Sequence, residues 1–382
     1  PGYLRVVGDA VDIGAVEAGI NPFVFNLADS GYGSLRYAIN YATNNAIITF
    51  SPGLSGQTIL VTNGQFNLNQ NLVIDGSALP NSIRLNASHS SRLFNIPGGV
   101  AVTLNALLLT NGYTTNGDWG GAIANTGALN LNYCTLAGNA GDSTVAGGAI
   151  ANFGSLALMG CALSGNAAGF GGAINNNATC ILQNCTFATN SAFAGNGGAI
   201  DNAFSAILTV LHCTFTGNTA SSLGGGIDNY LSTVLVTNSI VAGDGGTPGY
   251  GPDIFNWSGS TVTMGGSNIV QALDSDGIFN GATSIINDDP LLGPLANNGG
   301  PTQTMRPQTG SPAIDAGVTS ASSGLAFDQR GPGYPRIAGP AVDIGAVEVG
   351  INPVVYTLAD SGYGSLRFVT TYVTNNALVS FA

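Results

Sequence analysis

The first residues of this chain return near its end, and this repeat constrains the fold more than any other feature of the sequence. Residues 1–51 align with residues 332–382 without a gap; 17 of the 51 aligned positions differ and 34 are identical. The decapeptide LADSGYGSLR, at Leu27–Arg36, recurs unchanged at Leu358–Arg367. A duplication of this length predicts a tandem array of large units rather than a set of unrelated domains.

The duplication also predicts where one unit ends and the next begins. We expect residues 1–26 to be the tail of a preceding unit and residues 27–331 to form one complete unit. Residues 332–357 would then be a connector, and residues 358–382 would begin the following unit. On this interpretation both ends of the chain lie inside a longer polypeptide.

A second, shorter period runs through the middle of the unit, from about residue 118 to residue 245. The tetrapeptide GGAI, which becomes GGGI in its last copy, recurs every 24 to 27 residues. Its copies begin at Gly120, Gly147, Gly171, Gly197 and Gly224. Each isoleucine is followed two places later by an asparagine; these are Asn125, Asn152, Asn176, Asn202 and Asn229.

A second motif follows each of the first four GGAI copies. It reads CTLAGN, CALSGN, CTFATN and CTFTGN, and a weakened fifth copy reads SIVAGD, at Ser239–Asp244. The motif supplies one cysteine per copy, namely Cys134, Cys161, Cys185 and Cys213. It also supplies one asparagine per copy, namely Asn139, Asn166, Asn190 and Asn218.

These motifs predict an all-β fold, the parallel β-helix or β-solenoid. Apolar residues alternate between the two motifs, as at Leu129 and Leu131, which is the pattern of a half-buried strand. Repeating units of strand and turn in register place equivalent residues about 4.8 Å apart in neighbouring coils. We therefore expect isoleucine, leucine and cysteine ladders inside the coil and asparagine ladders at its corners. The cysteines are interpreted as buried thiols, with disulfides between stacked neighbours left open.

The flanks of the repeat predict two different ends for the coil. Ser34–Ala42 is the best candidate for a helix, with Ser34 as its N-cap, and we expect this helix to cover the open end of the coil. Residues 285–331 are irregular and rich in proline, and we expect them to form a C-terminal cap that leads into the connector.

The composition excludes several classes of function. Charged residues make up 7% of the chain, lysine is absent, and the net charge is −12. An acidic chain of this kind is not expected to bind nucleic acid or anionic membranes. No run of about 18 apolar residues is present, so the sequence predicts no transmembrane helix. A surface with so few charges is compatible with packing against copies of itself.

Several motifs resemble those of known surface proteins. GGAI paired with FxxN, as at Phe187–Asn190 and Phe215–Asn218, resembles the repeats of the chlamydial polymorphic outer-membrane proteins. ADSGYGSLR, DPLLGPLANNGGPTQTM, SPAIDAG, DQRG and DIGAVE together resemble large bacterial surface β-helix proteins with a "choice-of-anchor Q" region. The second resemblance covers nearly the whole unit. It implies a right-handed parallel β-helix on a secreted or cell-surface protein.

Candidate catalytic groups are sparse, although β-helices also include pectin lyases and polygalacturonases. The one adjacent carboxylate pair, Asp288–Asp289, lies in the proline-rich segment, and His89 and His212 are isolated in sequence. We therefore expect no catalytic residues and no cofactor. Asp201 and Asp228 occupy the same position in neighbouring coils, which makes them a weak candidate Ca²⁺ site.

Charged residues concentrate near the unit boundary. We expect them to form structural ion pairs that tie the cap to the connector. The residues concerned are Asp12, Glu17, Arg36, Arg330, Asp343, Glu348 and Arg367, with Arg5, Asp328 and Arg336 as further members.

The sequence favours a structural tandem repeat of a giant extracellular protein, with units joined head to tail into a fibre. Its partners would be further copies of the same repeat. A first alternative is an adhesin rod that binds a host surface or a glycan, with Trp119, Tyr230, Tyr250 and Trp257 as candidate contacts. A second alternative is a polysaccharide lyase or hydrolase of the pectin-lyase-like class.

Overall fold

The chain forms a parallel β-helix, as its sequence predicts. The structure, a computed structural model, describes residues 22–246 and 253–350, and short stretches of the second copy at 354–355, 358–360, 365–367, 370 and 379–381. Within these residues, four sheets of parallel strands build about nine coils. Each coil contributes one strand to each of sheets C, A and B in that order, and the middle coils add a short strand to sheet D.

Sheet A is the largest, with eleven strands in the described part of the chain. Its strands are Phe23–Val24, Ala46–Phe50, Leu72–Asp75, Ala101–Asn105, Ala128–Asn132, Ser155–Met159, Thr179–Gln183, Ile207–Leu211, Thr233–Thr237, Thr261–Gly265 and Ile278–Asn280. Sheet B contains Thr58–Leu60, Ile83–Asn86, Leu107–Thr110, Thr135–Ala137, Ala162–Ser164, Thr186–Ala188, Thr214–Thr216, Ile240–Val241, Asn268–Val270 and Ile285–Ile286.

Sheets C and D complete the coil. Sheet C contains Phe66–Asn67, Phe94–Ile96, Ile123–Asn125, Ile150–Asn152, Ile174–Asn176, Ile200–Ala203, Ile227–Tyr230, Ile254–Asn256 and Leu273–Ser275. Sheet D contains Tyr113–Thr114, Ala140–Gly141, Ala167–Ala168, Ser191–Ala192 and Thr219–Ala220. In the part of the chain that the structure describes, three short 3₁₀ segments lie outside the sheets, at Pro52–Leu54, Ala282–Ser284 and Thr319–Ser322.

The core is a set of one-residue ladders that run along the helix. Each GGAI isoleucine begins a strand of sheet C, and Ile123 pairs in register with Ile150, which pairs with Ile174. The alternating leucines of sheet A point inward; Leu129 and Leu131 are 1% and 0% exposed. Phe187 and Phe215 stack in sheet B with ring centroids 4.5 Å apart. Burial of this continuous apolar column is the main source of stability.

The glycine pair of GGAI is required by the tight turn between sheets D and C. Gly147 has φ +78°, and a Cβ there would lie 2.2 Å from the carbonyl oxygen of Ile150. The next residue, Gly148, has no room because a Cβ would lie 2.2 Å from the carbonyl oxygen of Gly172 in the next coil. The first glycine therefore provides the positive φ and the second permits close approach of two backbones.

The predicted helix is present as α1, Leu35–Tyr41. Ser34 caps it, with its Oγ accepting from the backbone N–H of Tyr37 at 3.1 Å. Leu35, Ala38 and Ile39 are buried and belong to the apolar core of the coils. The helix therefore covers part of the first coil, as its amphipathic pattern predicts.

Residues 287–350 leave the coil and form the returning segment. The segment carries antiparallel bridges such as Leu292–Pro307 and Phe327–Pro335 instead of regular strands. Its Ala313 and Ile344 pack with Ile240 of sheet B in a second, smaller apolar cluster. The irregular region predicted from proline content therefore extends to residue 350 and lies along the side of the β-helix.

Candidate functional site

Two asparagine ladders occupy corners of the coil. The first contains the five predicted asparagines from Asn125 to Asn229 and extends one coil further, to Asn256. Each Nδ2 donates to the Oδ1 of the next residue at 2.7–2.9 Å. All six side chains are completely buried. Each amide can donate and accept at once, so the ladder satisfies buried polar groups across coils without any charge.

The second ladder lies at the turn between sheets B and D, and it also binds the backbone. Asn166 Oδ1 accepts from both the backbone N–H and the Nδ2 of Asn139, each at 3.0 Å. The same double contact joins Asn166 to Asn190 and Asn190 to Asn218. Each Nδ2 also donates to a backbone carbonyl, such as that of Leu163 for Asn190.

The second ladder ends in two aspartates. Asn218 donates its backbone N–H and its Nδ2 to Asp244 Oδ1, both at 2.8 Å. Asp244 N donates in turn to Asp253 Oδ1 at 2.9 Å. Asp244 therefore stands where the next asparagine would stand. Its Oδ2 takes the position that the amide Nδ2 of an asparagine would take. Within the described residues this oxygen has no hydrogen-bond partner.

Burial and mutual repulsion change the protonation of this pair. Burial, followed by repulsion from Asp253, holds the pKa of Asp244 well above its ordinary value. Burial raises the pKa of Asp253 to about 6, although backbone N–H donors oppose the rise. Burial beside a second carboxyl group therefore favours the neutral form of Asp244.

The weak calcium candidates, Asp201 and Asp228, lie opposite each other on the outward side of sheet C. Asp201 accepts from Asn175 Nδ2 at 3.0 Å, and Asp228 accepts from Trp257 Nε1 at 3.0 Å. Burial raises the pKa of Asp201 to about 7; burial and repulsion from Asp201 raise that of Asp228 to about 8. N–H donors thus occupy these carboxylates. Among the described residues no group of three or more His, Cys, Asp or Glu side chains is placed to hold a metal ion.

The predicted cysteine ladder lies at the turn between sheets A and B. Cys134, Cys161, Cys185 and Cys213 are completely buried, and all five cysteines are thiols, including Cys180 in sheet A. Cys134 Sγ lies 3.3 Å from the carbonyl oxygen of Leu104, in the preceding coil. Burial raises the pKa of Cys134 to about 12, which disfavours the reactive thiolate.

Two of the four candidate contact aromatics, Tyr230 and Trp257, lie together at the end of sheet C strands. Phe204, Tyr230 and Trp257 form an edge-to-face row with centroid distances of 5.8 and 5.7 Å. Trp119 stacks on Phe153 at 4.7 Å in earlier coils. The remaining candidate, Tyr250, lies outside the described residues.

In three consecutive coils the returning segment contacts the residue that immediately precedes a cysteine or its equivalent, and each of these residues has a left-handed backbone conformation. Asn184 Nδ2 donates to the carbonyl of Phe327 at 2.9 Å, and His212 Nε2 lies 2.8 Å from Ser322 Oγ. Asn238 Nδ2 donates to the carbonyl of Val318 at 3.0 Å. The backbone φ angles of these three residues are 52°, 50° and 46°. Burial, followed by repulsion from Arg336, lowers the pKa of His212 to about 2, so the ring is neutral.

Buried ion pairs within the returning segment hold its parts together. Arg336 is completely buried; it donates to Glu348 Oε2 at 3.1 Å and to the carbonyl of Gly345 at 3.0 Å. Arg330 Nη2 pairs with Asp328 at 2.6 Å. Burial and the neighbouring Glu348 raise the pKa of Asp343 to about 7. Asp12 and Glu17, the equivalents of Asp343 and Glu348 in the first copy, lie outside the described residues, as does Arg5.

The first coil of each copy carries the same arginine–aspartate pair. Arg36 Nη2 lies 2.9 Å from Asp29 Oδ1, and Arg367 Nη2 lies 2.9 Å from Asp360 Oδ1. In the first copy, Asp29 also accepts from the backbone N–H groups of Thr62 and Asn63, and the pair is largely buried. Arg36 and Asp29 therefore join the helix region to the turn of the second coil.

Sequence reasoning missed three features of this site. Asn256 follows Ile254 by two places, which is the spacing of the GGAI asparagines, although the GGAI motif itself is absent there. The motif alignment placed Asp244 at the asparagine position of the fifth copy, but it did not predict that Asp244 continues the ladder and contacts Asp253. The docking residues Asn184, His212 and Asn238 share only their place before the cysteine position, and their chemistry differs. This last feature carries no recognisable motif.

Comparisons with known proteins add no family to this description. A scan of the chain against protein-family models finds no match, and a search of curated proteins also finds none. No helix in the described part of the chain is both long enough and apolar enough to cross a bilayer. The function is therefore argued from the geometry of the ladders, the returning segment and the second copy.

Proposed function

We propose that this chain is a structural repeat unit of a large secreted or cell-surface protein, whose units join head to tail into an extracellular rod or filament. One observation carries the proposal. Phe23 and Val24 pair with Thr49 and Phe50 at the start of the first coil. The equivalent residues of the second copy, which lie 331 positions further along the chain, form the same parallel pairs: Val354 pairs with Ser380 and Val355 with Phe381.

The repeated ion pair supports the same conclusion. Asp360 and Arg367 lie 331 positions after Asp29 and Arg36 and form a contact of equal length. Both the first strand pairing and the first ion pair of the unit thus recur in the second copy. A unit that rebuilds its own starting coil is suited to stacking in one dimension.

The returning segment suggests how consecutive units are arranged. Residues 332–350 belong to the second sequence copy, yet they dock on the coils that precede them, through contacts such as Gly345 N to the carbonyl of Asn238 at 2.8 Å. We place the functional boundary of the unit near residue 350 for this reason.

We propose a mechanical rather than catalytic role for the unit. The ladders, the apolar column and the buried ion pairs all serve to hold coils together. The buried carboxylates of sheet C accept hydrogen bonds from Asn175 and Trp257, as described above. The surface location rests on the resemblance of ADSGYGSLR, DQRG and DIGAVE to bacterial surface β-helix proteins. Release of new ends from pectin or a related polysaccharide by the purified chain would contradict a purely mechanical role.

The proposal can be tested on the native polypeptide that carries this sequence. Intact cells are treated with an external protease before lysis, and the polypeptide is detected by an antibody against residues 118–245. We expect a species much larger than 38.2 kDa that the external protease removes, while a cytoplasmic control protein survives. A protected species that contains only one copy of the unit would contradict the proposal.

The aromatic row favours a second candidate function, a rod that also binds glycans. Phe204 is 66% exposed and Tyr230 is 37% exposed, and aromatic faces can stack on sugar rings. A glycan array probed with the chain and with Phe204→Ala tests this candidate. Loss of a bound glycan in the variant, with unchanged thermal stability, would favour the adhesin interpretation.

A further inference from the structure

The outward side of sheet A is unlike the other faces of the β-helix. Seven consecutive strands, from Ala101–Asn105 to Thr261–Gly265, are each five residues long and pair one to one without a bulge. The first, third and fifth residue of each strand point outward and are exposed or half-buried. We call these outward residues the open face.

The open face carries no charge. Its residues are alanine, serine, threonine, asparagine, glutamine, glycine and a few larger apolar side chains. The chain as a whole carries a net charge of −12, so two copies generally repel each other. Contact through the open face would require neither copy to desolvate an ionised group, which is a large cost at other surfaces.

Three of the larger apolar residues of the open face lie on three consecutive strands. Ile181 pairs with Thr209, which pairs with Leu235, and Ile207 lies in the strand between Ile181 and Leu235. Ile181, Ile207 and Leu235 are 45%, 51% and 38% exposed. Threonine, serine and asparagine surround them. An apolar centre with a polar rim is the usual anatomy of a protein interface.

The other two large faces carry either a docked segment or titratable carboxyl groups. The returning segment covers part of sheet B, where Thr186 Oγ1 bonds Gln329 and Thr214 Oγ1 accepts from the backbone of Ala346. Sheet C presents Asp201 and Asp228 on its outward side.

We propose that the open face is a lateral interface through which two copies of this repeat pack side by side, sheet against sheet. Seven strands at about 4.8 Å and five residues at about 3.3 Å give a flat area of about 550 Å² per copy, or about 1,100 Å² in total. That total is at the lower limit of specific interfaces. One unit would therefore associate weakly, and tandem units would associate more strongly through many simultaneous contacts.

The inference extends the proposed structural role, because lateral contact would bundle rods that head-to-tail joining builds. Lateral contact and head-to-tail joining can be tested independently of each other. A lateral dimer keeps the length of one chain and increases its cross-section, whereas an end-to-end dimer increases the length. Small-angle scattering of the whole chain distinguishes these shapes.

The test is sedimentation velocity of the whole chain over a wide concentration range. We expect a reversible monomer–dimer equilibrium, and we expect the double variant Ile181→Asp/Leu235→Asp to weaken it by about tenfold or more, because the new charges face each other. Leu60→Asp/Phe193→Asp is the matched control: it adds the same charge at residues that are 51% and 47% exposed away from the open face. The control should associate as the parent does.

A milder variant keeps the test valid where aspartate weakens the strand. Ile181→Thr/Leu235→Thr retains β-branched or strand-compatible residues and should still reduce association, with an unchanged circular dichroism spectrum. A parent chain that stays monomeric at all concentrations would overturn the proposal, as would equal loss of association in the control. A monomeric chain that co-sediments with crystalline cellulose would instead assign the open face to a flat polysaccharide.

Discussion

At the scale of single residues, the second ladder shows how one atom changes the chemistry of a buried position. Asn139, Asn166, Asn190 and Asn218 each offer an amide that donates toward the next coil. Asp244 offers an oxygen in the same place, and Asp253 faces it. A proton on Asp244 would restore the missing donor. The ladder is therefore complete only when this aspartate is neutral.

This arrangement predicts that Asp244→Asn stabilises the chain at neutral and alkaline pH. The folded pKa of Asp244 is raised, and that of Asp253 is about 6, so the stability their protons provide is fully present below the unfolded pKa of about 3.9. It is lost as the pH rises through the folded values. An amide donates at every pH, so we expect a gain of about 1–2 kcal/mol at pH 8 and little change at pH 4.

Thermal unfolding from pH 4 to pH 8 checks this expectation. Asp276→Asn is a suitable control because Asp276 is exposed, and it should leave the pH profile unchanged. Infrared difference spectra add a direct readout, since the parent should show the C=O band of a protonated carboxyl group at pH 5 that Asp244→Asn reduces. A pH profile of Asp244→Asn identical to that of the parent would contradict a neutral Asp244 in the folded chain.

The interior of the same ladder predicts a larger effect of opposite sign. Asn190→Ala removes the acceptor of Asn166 N and the donor to the carbonyl of Leu163. Buried groups left without partners should lower the free energy of unfolding by about 3 kcal/mol. Asn130→Ala, on the exposed side of sheet A, should change it by less than about 0.5 kcal/mol. Urea titration measures both, and equal effects would mean that the ladder contributes nothing specific.

At the scale of elements, strands and the returning segment differ in how well the sequence predicts them. The GGAI spacing predicts the coils because each motif repeats the same local chemistry, from the turn at Gly147 to the corner at Asn152. The returning segment docks through contacts between residues far apart in sequence, such as Gln329 Nε2 to the carbonyl of Cys161. These contacts follow no period, so proline content predicted an irregular segment but not where it lies.

Arg336 is a completely buried cation of the returning segment, and this predicts how the segment responds to Arg336→Met. The change removes the partner of Glu348 and of two carbonyl groups, and it leaves Glu348 beside Asp343 without a compensating charge. Removing one partner of a buried pair costs about 3–5 kcal/mol. We expect residues 313–348 to detach while the coils remain folded.

Hydrogen exchange monitored by mass spectrometry should locate this change. Amides of residues 313–348 should exchange faster in Arg336→Met, and those of the strands Thr179–Gln183 and Ile207–Leu211 should stay protected. Arg84→Met is the control, since Arg84 is exposed on sheet B. Uniformly faster exchange across the coils would show that the segment and the β-helix unfold together.

At the scale of the whole molecule, the sequence duplication carries more information about function than any side-chain cluster. The low content of charged residues made an uncharged surface compatible with packing between copies, and the structure places an uncharged face on the largest sheet. Which face would be free could not be predicted, because that depends on where the returning segment docks. The second copy repeats the first strand pairing of the unit at Val354 and Ser380, which favours growth along the helix axis.

Cryo-electron microscopy of the native material that carries this sequence tests the central claim most directly. A unit with eleven strands in sheet A should occupy on the order of 50 Å along the axis at about 4.8 Å per coil. We predict a filament whose axial repeat is one such unit, with continuous density from residue 350 of one unit into the first coil of the next. Separate single β-helices with no axial repeat would contradict the account.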